Sequence, residues 1–177
     1  ELPSGMEVTY TVKLEDDDGK TWMQAGTCAW RVEDETLHIA PLPGCDNGTL
    51  RYGDLRLGND WDSFSQSIKH VIFASGVSAY TCEGMFKDFR NLQDVDFSGL
   101  DASTTTSMSY MFSGCEALEA VDLSSLGLSS VRDLSRLFSG CSSLRSVTLG
   151  GNASAVTDMS YMFSGCAMLK TVDLSPI

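Results

Sequence analysis

Tyr161-Met162-Phe163-Ser164-Gly165-Cys166 decides the fold, because the chain repeats it. Met111-Phe112-Ser113-Gly114-Cys115 is the same phrase, and Leu137-Phe138-Ser139-Gly140-Cys141 differs only in having Leu for Met. Met85-Phe86 opens a weaker copy that carries Phe89 where the others carry Cys. The copies recur about every 25 to 26 residues, a period typical of stacked repeats. No single unit of that length can bury its own apolar side, so stacking must supply the core.

Working outward, each phrase is followed by an L-x-x-V-x-L segment. These are Leu92/Val95/Phe97, Leu118/Val121/Leu123, Leu144/Val147/Leu149 and Leu169/Val172/Leu174, with Ile68/Val71/Phe73 as a degenerate earlier copy. Their last two apolar positions alternate with polar ones, the pattern of a strand with one buried face. Ahead of each phrase the rhythm changes. Val156, Met159, Met162 and Phe163 fall on one face of a short helix, as do Val131, Leu134, Leu137 and Phe138, and Thr105, Met108, Met111 and Phe112. Thr157, Asp158 and Asp133 stand where caps are expected. The expected fold class is therefore an α/β repeat solenoid, parallel strands plus short helical segments. It should hold about five rungs over 61–177, behind a β-rich N-terminal cap over 1–60. Met and Phe at these positions read as core filling rather than a Met-rich groove, which would need them outside.

The cap shows no repeat. Val8, Tyr10, Val12 and Leu14 alternate with polar residues and predict a strand. Asp16-Asp17-Asp18-Gly19 predicts a turn, since a calcium loop needs spaced ligands and a distal Glu. Trp30–Glu33 and Thr36–Ala40 predict a hairpin around Asp34-Glu35, and Thr49–Leu57 a further strand. Residues 1–20 could equally belong to a preceding domain.

Composition excludes some partners. The chain has 177 residues, 12 Lys plus Arg, 24 Asp plus Glu, and a net charge of -12. That balance disfavours nucleic acid and anionic membrane surfaces. No apolar run approaches the roughly 20 residues that span a bilayer. The chain opens at Glu1, so any signal peptide is expected to lie outside it.

Catalytic signals are weak. Of six cysteines, Cys115, Cys141 and Cys166 are copies of one structural position, and Cys82 aligns with Met108, Leu134 and Met159. All four are expected to be buried and reduced. Their spacing is the repeat period, not the C-x-x-C of a zinc site. His38 and His70 lie in predicted strands, a poor setting for a Cys-His nucleophile, and no G-x-S-x-G elbow occurs. No catalytic residue, metal or cofactor is expected. Cys28 and Cys45 flank the predicted hairpin, so a disulfide is possible if their Cα atoms come within about 5.5 Å. Trp22, Trp30 and Trp61 could form a sugar-stacking platform, although core packing is the commoner use.

The outward row of the predicted strands offers candidate binding residues: Asp94, Asp96, Asp122, Thr148, Thr171 and Asp173. A solvated sheet face is the ordinary alternative. Five strands at about 4.8 Å spacing cover roughly 320 Å², against about 800 Å² per partner in a standard interface. Asp96 and Asp122 should lie about 5 Å apart and repel. A ligand on this face would then be basic or bridged by a divalent cation, and removing either carboxylate should slightly stabilise the free chain.

Tyr161-Met162-Phe163-Ser164-Gly165-Cys166-Ala167-Met168-Leu169, followed by Val172-Asp173-Leu174-Ser175, resembles the BspA-type leucine-rich repeat of bacterial surface proteins. The likeness is greatest to the branch found in mycoplasma lipoproteins and in lactobacillus and gut-anaerobe surface proteins, and it covers roughly 61–177. Gly26–Val32 and Thr36–Ile39 resemble, less distinctively, the lead-in segment of such proteins. The resemblance implies a non-enzymatic, exported or wall-associated adhesin that contacts a host extracellular protein or glycan; no catalytic residues come with it. Departures are the missing Cys of the first copy and Gly150-Gly151-Asn152 in the third. The competing expectation is a structural spacer or stalk segment of a larger surface protein, with no ligand of its own.

Overall fold

The computed structural model describes residues 13–15 as backbone and 19–50, 61–175 and 177 in full. The strand expected at Val8–Leu14 therefore lies outside the described residues except for its end, as do the turn at 16–18 and the 51–57 part of the strand expected after Thr49.

The cap is an antiparallel meander of β1 (Lys13–Glu15), β2 (Thr21–Ala25), β3 (Cys28–Glu33) and β4 (Thr36–Pro41). The β3–β4 hairpin turns at Asp34 and Glu35, both at positive φ, which suits a tight two-residue connection. The solenoid then grows from the meander's edge. β4 pairs in parallel with β6 (His70–Phe73), and β6 with β8 (Asp94–Asp96), putting Leu37, Val71 and Val95 in one row. β4 is thus a cap strand by connectivity and the first rung by pairing. A second side of the coil is built from β5 (Gly48–Leu50), β7 (Val77–Ala79) and β9 (Leu100–Asp101), also parallel. Further along, β10 (Ala120–Asp122) pairs with β11 (Ser146–Thr148).

The expected helices are not there, and the α/β class is corrected to a β-solenoid of about four turns. Among the described residues the only helical pieces are single 3-10 turns at Asp62–Phe64 and Leu128–Ser130. The reason lies in where the amides of the repeated phrase point. Alternate N–H groups leave the segment altogether: those of Gly84, Phe86 and Asp88 donate to the carbonyls of Ser109, Met111 and Ser113, at 2.7 to 2.9 Å. Tyr110, Phe112 and Gly114 donate in the same way to Ser135, Leu137 and Ser139, and Arg136, Phe138 and Gly140 to Ser160, Met162 and Ser164. The amides in between close short turns on the residue three before, as Met111 does on Met108 and Cys115 on Phe112. Residues at positive φ recur every fourth position, Tyr110 at 58° and Gly114 at 79° for instance, which an α-helix forbids. The apolar spacing that suggests a helix is equally met by this run of tight turns, because both return the same side chains to the interior.

One core runs from Cys28 to Met162. Its axis is a column of phenylalanines at one phrase position. Phe112 stacks on Phe138 at 5.6 Å and 4°, and Phe138 on Phe163 at 5.7 Å and 6°, while Phe86 meets Phe112 tilted at 5.8 Å. Beside it stand the thiols. Cys115, Cys141 and Cys166 each donate S–H to the carbonyl of the phenylalanine one rung back, Phe86, Phe112 and Phe138, at 3.0 to 3.1 Å. Phe89 fills the same place in the first copy and is fully buried. At the far end of the array packing thins. Phe163 and Cys166 are half-buried, and Met159 is exposed. The strand expected at Val172–Leu174 does not form among the described residues, and no ladder joins β8 to β10.

Two stability outcomes follow. Phe112→Ala removes a ring held between two others and should cost about 3–5 kcal/mol, whereas Phe163→Ala, half-buried, should cost clearly less; urea titration of both variants tests the ranking. Gly114→Ala should cost about 1–2 kcal/mol because its φ of 79° lies in the left-handed region. Gly151→Ala, with nothing within 4 Å of the added carbon, should be close to neutral in the same assay.

Candidate functional site

The outward strand row is exposed at every candidate position: Asp94, Asp96, Asp122, Thr148, Thr171 and Asp173. The structure brings these residues together only in part. Asp96 lies beside Ile72, Asp94 beside His70, and Asp122 beside Thr148. Thr171 and Asp173 sit on an irregular segment rather than on a strand. No strand ladder joins Asp96 to Asp122, although β8 and β10 still lie against one another.

The carboxylates are already engaged. Asp96 accepts the backbone N–H of Ser98 at 2.9 Å, Asp122 that of Ser124 at 2.8 Å, and Asp173 that of Ser175 at 2.9 Å. The same Asp-x-Ser turn appears at Asp101, Asp133 and Asp158 on other corners of the coil. A short side chain that mimics a backbone turn is a common device where a strand must stop. These bonds favour the charged form. The backbone and hydroxyl of Ser98 hold the Asp96 carboxyl below its ordinary value, and the hydroxyl and backbone of Ser124 do the same for Asp122. Asp94 instead meets His70, with Nδ1 2.8 Å from its carboxylate. Asp96 and Asp122 each accept a local bond, so removing either carboxylate is expected to destabilise the free chain rather than stabilise it.

Cys82, Cys115 and Cys141 are fully buried. Burial pushes the thiols of Cys82 and Cys141 up to about 12, and drives that of Cys115 well above its ordinary value. Nucleophilic chemistry needs the thiolate, so these positions suit packing. Cys28 is buried and Cys45 exposed, and the structure holds both as free thiols. Trp30 and Trp61 meet edge to face at 6.0 Å inside the cap, and Trp61 donates to the Met85 carbonyl. Trp22 is half-buried, with the Arg31 guanidinium 4.5 Å over its ring. Two of the three tryptophans are therefore core, and no three-ring platform forms.

One surface feature escaped the sequence reading. Tyr110, Arg136 and Tyr161 occupy a single position, just before the Met-Phe or Leu-Phe pair, and stack along the coil. The Arg136 guanidinium lies 5.2 Å over the Tyr110 ring and 5.1 Å over that of Tyr161, and it also donates to the Tyr110 hydroxyl. Lys87 reaches Tyr110 from the preceding rung, 5.7 Å from the ring centre. The available signal was Gly84 at the same position in the first copy, which marks a residue that must take positive φ and so turn its side chain out of any helix. Elsewhere, an open recess of about 300 Å³ lies at the corner of Ser124, Leu126, Leu128 and Asn152, with no titratable group in its wall. Among the described residues no group of three or more His, Cys, Asp or Glu could hold a metal ion, and no helix is long and apolar enough to cross a membrane.

The Asp-x-Ser turns have a measurable consequence. Asp122→Ala should lower the unfolding free energy from urea titration at neutral pH by a few tenths to about 1 kcal/mol, while Asp122→Asn, which keeps an oxygen acceptor, should lose less. A lowered folded-state pKa stabilises above the unfolded value and is lost as pH falls through the folded one. The gap between Asp122→Ala and the parent should therefore shrink as pH drops below the ordinary aspartate value of 3.8.

Comparison with known proteins gives one family. No curated protein and no solved structure matches the chain. The family described as a mycoplasma protein of unknown function, DUF285, matches residues 61–175, which is the whole repeat array up to Ser175. With well over half of its length inside that match, the chain belongs to the DUF285 family.

Proposed function

We propose that the chain is a non-enzymatic binding module of a bacterial surface protein, displayed outside the cell or in its wall, where the solenoid contacts a host extracellular protein or glycan. The observation that carries this reading is how the chemistry-bearing side chains are used. The repeated thiols Cys115 and Cys141 are packed in the core with their pKa values raised, Cys166 is half-buried, and the repeated aspartates hold turns. What remains for function is surface. Membership in a repeat family agrees with that use, and the likeness of the Tyr-Met-Phe-Ser-Gly-Cys phrase to BspA-type repeats supplies the adhesin component. Repeat coils commonly work through extended surfaces of this kind.

A structural spacer is the second reading. The small area of the strand face, well under that of a standard interface, favours it. Immobilising the full chain and presenting a panel of matrix proteins and a glycan array separates the two. A binding module should retain at least one component saturably, and the signal should vanish on heat-unfolding the chain. If a folded chain retains none, the spacer reading replaces the binding one.

A further inference from the structure

We propose that the row of exposed Lys87, Arg136 and Tyr161 and half-buried Tyr110 is a docking surface for an acidic protein segment, with the Arg136 guanidinium as its carboxylate receptor. The inference rests on the binding-module reading above and gives it a place and a partner chemistry. It begins from charge accounting. Acidic side chains outnumber basic ones 24 to 12, so a cation on this surface has carboxylates in ready supply. Lys20, Arg31, Lys69, Arg90 and Arg145 each take a glutamate. Arg132 and Lys170 are exposed and enter none of these pairs, whereas Lys87 and Arg136, also exposed, are the two that lie over tyrosine rings without a glutamate.

The Arg136 guanidinium lies between two rings and gives one Nη1 N–H to the Tyr110 hydroxyl, and it has further N–H donors besides that one. The edge of a guanidinium is the part that receives a carboxylate in two parallel hydrogen bonds. The rings also fix the side chain beforehand, so less rotamer freedom is lost when a partner arrives. Tyr161, two-thirds exposed at 66%, carries the row on to the next copy.

The backbone supplies a second, independent observation. Tyr110, Arg136 and Tyr161 hold φ of 58°, 54° and 58°, in the left-handed region. Gly84 fills that place in the first copy without penalty. A side chain there costs about 1–2 kcal/mol, so folding alone would be better served by glycine. Strain of this sort gathers at functional positions.

The partner class follows from the residue types. Tyrosine and arginine dominate the hot spots of protein interfaces, and arginine clusters take acidic motifs. The row lies on the surface and does not line the recess at Leu126 and Leu128, so nothing here encloses a small sugar. It follows the stacking direction at about 4.8 Å per rung, which places its two cations within reach of carboxylates on one extended segment. The remaining acidic surface repels such a segment at a distance, but at about 0.15 M salt that repulsion is screened beyond roughly 8 Å while the contact pairs survive.

The test uses the full chain and three probes at that salt concentration: a fluorescent peptide of alternating Glu and Ser, its Gln counterpart, and a polygalacturonate oligomer. Anisotropy should show the Glu peptide binding at least about tenfold more tightly than the Gln peptide. Arg136→Gln and Tyr161→Ala should each weaken it about fivefold to tenfold, and Lys170→Gln, off the row, should leave it unchanged. If Arg136→Gln lowers the thermal midpoint, Lys87→Gln, at the exposed start of the row, replaces it and should weaken the peptide at least twofold. Equal binding of the two peptides, indifference to the row variants, or tighter binding of polygalacturonate than of the Glu peptide would each overturn the proposal. Retention of a matrix component by the parent chain, undiminished in the row variants, would leave the binding module standing and sink only this surface.

Discussion

Everything in this molecule depends on one hydrogen-bond pattern: alternate amides of each Met-Phe-Ser-Gly phrase donate to the carbonyls of the next copy. A phrase of this kind cannot satisfy its own backbone, because the turn geometry that returns Met and Phe to the interior points every second N–H along the stacking axis. An unpaired buried amide is costly, so each turn is stable only with another beside it. The repeat period is the sequence consequence of that requirement. The column of phenylalanines and the thiols that donate to phenylalanine carbonyls are what the same register does to side chains: identical residues fall one above another at 5.6 to 5.8 Å.

The same constraint orders the surface. Where each phrase begins, a residue must take positive φ, and its side chain is carried outward into a row with its counterparts in neighbouring rungs. Glycine satisfies the backbone in the first copy; tyrosine, arginine and tyrosine satisfy it in the next three and create a surface while doing so. Where β8, β9 and β10 end, an aspartate two residues before a serine closes the corner. The acidic character of the strand face is therefore in large part a by-product of making corners, and the carboxylates there are held charged by their own turns.

The cap meets the array without a seam. β4 completes the hairpin with β3 and also donates the first parallel edge to β6, so the rung that would otherwise expose its ladder is covered by a strand from the meander. Trp61 fastens the other side by reaching the Met85 carbonyl across the entry to the first phrase. Burial of Trp30, Trp61 and Phe73 joins cap and coil into one core.

Read alone, the residues determined the periodicity, the stacked architecture, most of the inward set from Phe86 to Leu149 but not the exposure of Met159, and the equivalence of Cys115, Cys141 and Cys166. Each of these depends only on recurrence and apolar spacing, which sequence displays directly. The sequence also showed the β3–β4 hairpin through its alternation around Asp34-Glu35. It could not separate a short helix from a chain of tight turns, since both bring Met108, Met111 and Phe112 to the same side, and the difference lies in whether an amide bonds within its segment or to the next rung. Nor could it reveal that Asp96 and Asp122 spend their oxygens on Ser98 and Ser124, or that Arg136 lies between two rings 26 residues before and 25 after it. Those facts belong to neighbours brought together by stacking, and only the tertiary structure decides which atoms become neighbours.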